Sequence, residues 1–479
     1  MKRTLIMFAM LLLGVQELVA QAQLAPEVKA FVKVEAPVVA LVHVRVIDGT
    51  GAAAREEQTV VIRDGKVEAL GPVATTPVPE GAERMDLAGY TVIPGLVGMH
   101  DHLYYPAPGA GNPRTYPPHV FSFPRLYLAG GVTTIRTTGS VEPYTDLEVK
   151  KLIDAGKMAG PKMHITGPYL EGKGAFTPQM HELTGPEDAR KTVEFWADQG
   201  ATWFKAYMNI TRAELGAAIE AAHKRGLKVT GHLCAVTFRE AAALGIDDLE
   251  HGLSEDTEFL PDKKPDVCPA QRRTNVELMA KLDLTTELAR QTIRELVEKK
   301  VALTSTLPVF ETFVANRPPL QQRVLDAMTA DARVSYLATR ARIGEDATSP
   351  WAAAFKKEME FERAFATAGG LLVTGLDPTG YGGVVAGFGD QRDVELLVEA
   401  GFTPIEAIRI ATRNGAELLG ELERIGTIEA GKQADLVVIK GDPGKNIADI
   451  EKVEMVFKDG IGFDPAKLVE SVKGNVGTR

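Results

Sequence analysis

The sequence predicts an α/β protein, a (β/α)8 TIM barrel joined to a small β-sandwich domain formed from both chain ends. Three observations carry this expectation. The middle of the chain holds eight short apolar runs, each followed by a helical pattern, as in βα units around a parallel sheet. Each end holds β-branched runs with Gly and Asp turns, too few to be stable alone, so the two ends are expected to pair. The length of 479 residues exceeds one ordinary core but suits a barrel with an appended unit. A doubly wound open sheet is the alternative; it uses fewer strands and a Gly-rich phosphate turn that cannot be found here.

In chain order the expected plan is a signal peptide over 1–22, a small β-domain from 38–91 plus 421–461, and a barrel over 92–420. Lys2 and Arg3 precede the apolar and small residues 4–15, and Ala20-Gln21-Ala22 offers a small-x-small cleavage site, so export to a periplasmic or secreted location is expected. The apolar run is too short for stable membrane insertion, and no cysteine near the cleavage site could take a lipid. ALVHVRVIDGTG (40–51) and QTVVIRDGKVEALGP (58–72) read as strands, with RDGK as a hairpin turn. Their counterparts are RIGTIEAGKQADLVVIKGDP (424–443) and VEMVFKDG (453–460).

The eight central strands are expected in VIPGLVGMHDHLY (92–104), GVTTIRTTG (131–139), KMHITGPY (162–169), ATWFKAYM (201–208), KVTGHL (228–233), DLEHGL (248–253), VALTSTLPV (301–309) and LLVTGLDP (371–378). Helix signals lie between them. Thr211 and Glu214 have capping-box spacing, Leu215, Ile219 and Ala222 share one face, and Gly226 closes the helix. Thr403 to Glu406 repeats the pattern with Pro404 at the first helical position. Residues 254–300 and 311–348 exceed a minimal connection and serve either as lids and substrate walls or as solvated excursions.

Composition narrows the partners. With 54 basic and 64 acidic residues the formal charge is −10 and no basic stripe is present, which argues against nucleic acid and anionic membrane surfaces and for a small-molecule substrate. A homo-oligomer stays open. The two cysteines, Cys234 and Cys268, make neither a disulfide scaffold nor a cysteine-rich zinc site; an oxidising compartment permits one bridge without requiring it, and Cys234 reads as packing rather than as a nucleophile.

The chemistry concentrates at strand ends, where barrel enzymes place it. Alternate side chains of a strand share a face, so His100 and His102 project together and Asp101 points away. Neutral imidazole suits zinc and its neighbours. Further ends present Lys205, His232, His251 and Asp377; the separations of 103, 27 and 19 residues from His102 through His251 fit three, one and one βα units. Singly, each has a bland reading: core histidines, a snorkelling lysine, an Asp-Pro turn. Together they favour a metal site.

The set VIPGLVGMHDH, FKAY, TGH, LEHG and TGLDP, with the late GTIEAGKQADLVVI, resembles the amidohydrolase superfamily of metal-dependent hydrolases over about 42–460. The subgroup it most resembles holds imidazolonepropionase-like and Xaa-Pro dipeptidase-like members. The resemblance implies two divalent metal ions, zinc foremost, with His100 and His102 on the more buried ion and His232 and His251 on the more exposed one. It implies carbon dioxide added to Lys205 as a bridging carbamate, and Asp377 as both ligand and proton-transfer catalyst. Imidazolonepropionase itself uses one metal and lacks such a lysine, so Lys205 points to the two-metal type. Physical chemistry agrees: an ammonium would repel two cations, whereas burial favours the neutral amine that adds carbon dioxide.

The implied reaction is hydrolysis of an amide (C–N) bond by a metal-bridging hydroxide, with dipeptides or N-acyl amino acids as substrates. An esterase or lactonase on the same metals, and a non-hydrolytic binding protein or isomerase on the same barrel, are the alternatives. Candidate substrate contacts are Tyr207, Tyr169, His119 and Tyr105, with Tyr104, His181 and Arg136 as further pocket residues.

Overall fold

The histidine-bearing stretch splits where Pro94 and Gly95 interrupt it. In the computed structural model, which describes residues 24–108, 115–270 and 272–477, Tyr90–Pro94 belongs to one sheet and Leu96–Asp101 begins another. Gly95 is required at the joint, because a Cβ there would lie 2.0 Å from the Thr133 hydroxyl. The expected signal segment, 1–22, lies outside the described residues.

The first sheet has nine strands and takes them from both ends of the chain. Leu436–Lys440 pairs antiparallel with Tyr90–Pro94 on one side and with Val453–Lys458 on the other, while Val38–Val46 joins the N-terminal hairpin to them. The RDGK turn forms as expected: Arg63 pairs with Lys66, and Asp64 and Gly65 both take positive φ. The sheet also reaches past the expected limits, to Val32–Val34 and Ile461–Phe463. Period-2 burial explains its placement. Leu436 and Val438 enter a core of the sheet's own, with Val60, Ile62 and Phe457, while Val437 and Ile439 enter the main core.

The middle of the chain is a mixed α/β unit of parallel strands. Leu96–Asp101, Val132–Thr137 and Lys162–His164 form one ladder. Thr166–Leu170, Trp203–Ala206, Lys228–Gly231, Asp248–Glu250, Ala302–Ser305 and Leu372–Thr374 form a second, in chain order. The ladders meet twice. Ser140 N donates to Gly167 O at 3.1 Å, and Asp377 N donates to His100 O at 3.0 Å, bringing the last strand beside the first. Gly375 permits that second approach, since a Cβ there would lie 2.3 Å from the His100 Cβ.

Two expected strands differ. KMHITGPY is two strands broken at Ile165, because its first half pairs backward with Val132–Thr137 and its second half forward with Trp203–Ala206. VALTSTLPV ends as a strand at Ser305; Pro308 then sits in the first turn of a helix, Leu307–Glu311, where its missing N–H costs nothing. The helix signals hold at their caps. Thr211 and Glu214 form a capping box at Arg212–His223, and Thr403 and Glu406 one at Pro404–Arg409. No helix among the described residues is long and apolar enough to cross a membrane.

Candidate metal centre

The six polar residues expected at strand ends converge. His100 and Lys205 lie within strands Leu96–Asp101 and Trp203–Ala206; His102, His232, His251 and Asp377 follow strand ends within three residues. The Lys205 Nζ is 3.2 Å from His100 Nε2. Asp377 lies at the centre, its carboxylate 3.7 Å from His100 Nε2, 3.7 Å from His102 Nε2 and 3.9 Å from His251 Nε2. The His232 and His251 rings are 4.4 Å apart. Both His251 and Asp377 take positive φ, +70° and +49°, a strained conformation for such residues that re-aims their side chains after the strand ends.

The histidines are held from behind. His100 Nδ1 donates to Glu250 Oε2 at 2.6 Å and His102 Nδ1 donates to Gly139 O at 3.2 Å, while His251 Nδ1 bonds Thr306 Oγ1 at 2.7 Å. In His100 and His102 this fixes the tautomer that leaves Nε2 as a lone pair facing the centre. Tyr127 fixes His102 further, its hydroxyl donating to His102 O and accepting from His102 N.

Electrostatics favour the neutral ligand forms. Burial holds His100 well below the usual imidazole range, with Lys205 and His102 adding to the effect. Burial does the same for His102 and His251. The Lys205 ammonium, 1% exposed, is brought down to about 8 by burial, against the opposing pull of Glu250 and Asp377. Burial pushes the Asp377 carboxyl up, and Lys205 counters it in part.

Two observations test whether the residues fit a metal. One donor atom each from His100, His251 and Asp377 lies within 4.8 Å of the others. Moreover, His251 Nε2 and Asp377 Oδ1 are buried without a hydrogen-bond partner, a costly state for polar atoms unless something else meets them. The donor set, imidazole with carboxylate, is that of zinc and related ions. It fits.

Over the centre opens a cleft of about 550 Å³, walled by a ring cluster of Tyr116, Phe176 and Tyr207 and by a second of Phe310, Phe313 and Trp351. The long segment after His251 closes one side. Its turns Gly252–Glu255 and Thr257–Phe259 are joined to the loop after His232 by a Cys234–Cys268 disulfide, so the cysteines that the sequence leaves open do pair.

The expected substrate contacts divide. Tyr207 and Tyr169 line the site, their rings 5.7 and 5.6 Å from Lys205 Nζ. Tyr104 stacks on His102 and its hydroxyl bonds that of Tyr169. His119 and Tyr105 do not reach the cleft. His119 accepts from Gly477 N at 3.3 Å and stacks on Phe123, and the Tyr105 hydroxyl is held by Gly383 N at 2.8 Å. His181 is exposed and paired with Asp188, and Arg136 is buried below the histidines, bonded to Asp248 and Glu250. Sequence reasoning missed Glu250, Asp248, Thr306 and Glu255. Asp248 and Glu250 carried a signal, since acids at alternate positions of an apolar strand share one buried face.

Comparison with known proteins places the chain. A family model described as "Amidohydrolase family" matches residues 91–462. An imidazolonepropionase of Stenotrophomonas maltophilia is 24% identical over 434 residues, covering 88% of this chain and 93% of that protein. Among solved structures, a bottromycin amidohydrolase superposes with a TM-score of 0.68 at 22% identity, covering 91% of each chain. A Xaa-Pro dipeptidase with methionine bound in its active site superposes with a TM-score of 0.66 at 20% identity, covering 89% of this chain and 100% of that one.

Proposed function

The chain belongs to the amidohydrolase family, hydrolases that act on C–N bonds, and from that premise we propose a binuclear amidohydrolase that cleaves dipeptides or N-acyl amino acids. The observation that carries the reading is the convergence of His100, His102, Lys205, His232, His251 and Asp377, with two buried donor atoms that have no hydrogen-bond partner. The contacts between the two parallel ladders support a closed (β/α)8 barrel. The nine-stranded sheet supports a β-sandwich domain made from 38–91 and 421–461, with the barrel over 92–420. Export after signal cleavage remains part of the proposal.

His100, His102 and Asp377 would hold one ion and His232 with His251 the other, with Lys205, as a carbamate, between them. Zinc is the ion we propose. Two such ions would supply Lewis acidity and a bridging water acidic enough to act as hydroxide near neutral pH. The protein's own steps follow from the geometry. Lys205 is buried and brought to about 8, so its neutral amine can form the carbamate. Glu250, Gly139 and Thr306 hold three imidazoles in fixed orientation. Asp377, central to the cluster, accepts the proton of the attacking water and delivers it to the leaving nitrogen. Tyr207 and Tyr169 sit where a hydroxyl can donate to the substrate.

Side-by-side rates on dipeptides, N-acyl amino acids, lactones and aryl esters test this reading. Highest kcat/KM on an amide supports it; highest kcat/KM on a lactone or ester would make the chain an esterase on the same site. Turnover of no substrate, with less than one equivalent of metal, would favour a binding protein.

A further inference from the structure

The cleft has an acidic end beside the proposed metal ligand His232. Glu255 closes the turn Gly252–Glu255, and its Oε2 lies 3.2 Å from His232 Nε2. Beside it, Asp256 is 7% exposed and lines the same cleft. Asp256 Oδ1 accepts from Glu258 N at 3.0 Å and from Phe238 N at 3.4 Å, which makes it a cap for two turns. Its Oδ2 has no partner. A buried carboxylate oxygen left without a donor, on the wall of a binding cleft, points to a ligand that brings the donor.

The surroundings say which donor. The titratable side chains on the described wall are the carboxylates of Glu255, Asp256 and Asp377, the imidazoles of His232 and His251, and the Tyr116, Tyr207 and Tyr381 hydroxyls. The Tyr207 ring packs 4.7 Å from the His232 ring, the same imidazole that Glu255 meets. Carboxylates with an aromatic face suit an ammonium group. The remaining wall, with Met208, Phe259, Leu260, Met279 and Phe310, suits an apolar body.

We propose that Glu255 and Asp256 form an amine subsite, so that the substrate is an aminoacyl amide with a free amino group and an apolar side chain. This rests on the amide-hydrolase reading and sharpens it: of the two substrate classes named above, it selects the one with an unblocked amine and disfavours N-acyl amino acids.

Two probes test it separately from hydrolysis. Equilibrium binding of hexylamine is compared with that of hexanol on the metal-loaded chain, in the wild type, Glu255→Gln and Asp256→Asn. The subsite predicts hexylamine at least about tenfold tighter, collapsing to within about threefold in the variants. Glu255→Gln is the primary variant because Asp256 also caps its turns. Equal binding of the two probes in the wild type, or an amine preference that survives in Glu255→Gln, overturns the subsite. Turnover is then compared on leucine anilide and N-acetyl-leucine anilide. Higher kcat/KM for the free amine supports the subsite, and higher kcat/KM for the acetylated compound overturns it. Cleavage of neither, with the hexylamine preference intact, supports the subsite and counts against the hydrolase reading alone.

Discussion

Two layers of buried polar side chains on the parallel strands, joined through Glu250, end in different states. In the lower layer Arg136 donates to Asp248 Oδ2 at 2.8 Å and to Glu250 Oε1 at 2.7 Å, while Thr230 and Thr304 also donate to Asp248, at 3.0 and 2.8 Å. None of these five side chains has a buried polar atom without a partner. In the upper layer His251 Nε2 and Asp377 Oδ1 have none. The difference suits structure in one case and the proposed metal site in the other: a charge network closed within the protein has nothing left to bind, whereas the open layer keeps donor atoms that a bound ion would meet. Glu250 belongs to both, taking Arg136 on one oxygen and His100 on the other. The closed layer thus orients the open one.

Substitutions that act on one layer at a time sharpen this contrast. The largest effect is expected at Lys205→Ala, which removes the proposed bridging ligand: both metals are lost and kcat/KM falls about ten-thousandfold or more, with partial rescue by a small carboxylic acid. Full activity in that variant would remove the carbamate. Asp377→Asn is expected to keep much of the metal and to lose turnover about a hundred- to thousandfold, checked by paired metal analysis and kcat. Arg136→Met acts below. It leaves Asp248 and Glu250 as buried charges without their cation, and a stability loss of about 3–5 kcal/mol is expected in denaturant unfolding. Glu250→Gln is the mildest, weakening metal affinity about ten- to hundredfold by loosening His100, measured by chelator competition. An unaltered metal affinity there would cut the link between the layers.

The sequence showed the upper layer better than the lower one. His100, His102, Lys205, His232, His251 and Asp377 were legible because each stands out as polar at an apolar strand's end, and the strand period sets which face it takes. The capping boxes at Thr211 and Thr403 were legible because caps are local. What escaped depends on contacts distant in the chain. Arg136 looks like a pocket residue until Asp248, 112 positions away, is seen to hold it. His119 and Tyr105 lie near His102 in sequence, but their partners are Gly477 and Gly383, and these turn them away from the cleft. The break at Ile165 is invisible locally because both halves are apolar and the change lies in which strand each one pairs with. The Cys234–Cys268 pairing likewise required the fold of the segment after His251.

The most direct test of the open layer is the metal content of the purified full chain by elemental analysis, wild type beside Lys205→Ala. Two equivalents of divalent metal are expected in the wild type and less than one in the variant. Less than one equivalent in the wild type, or wild-type metal content in the variant, would contradict it.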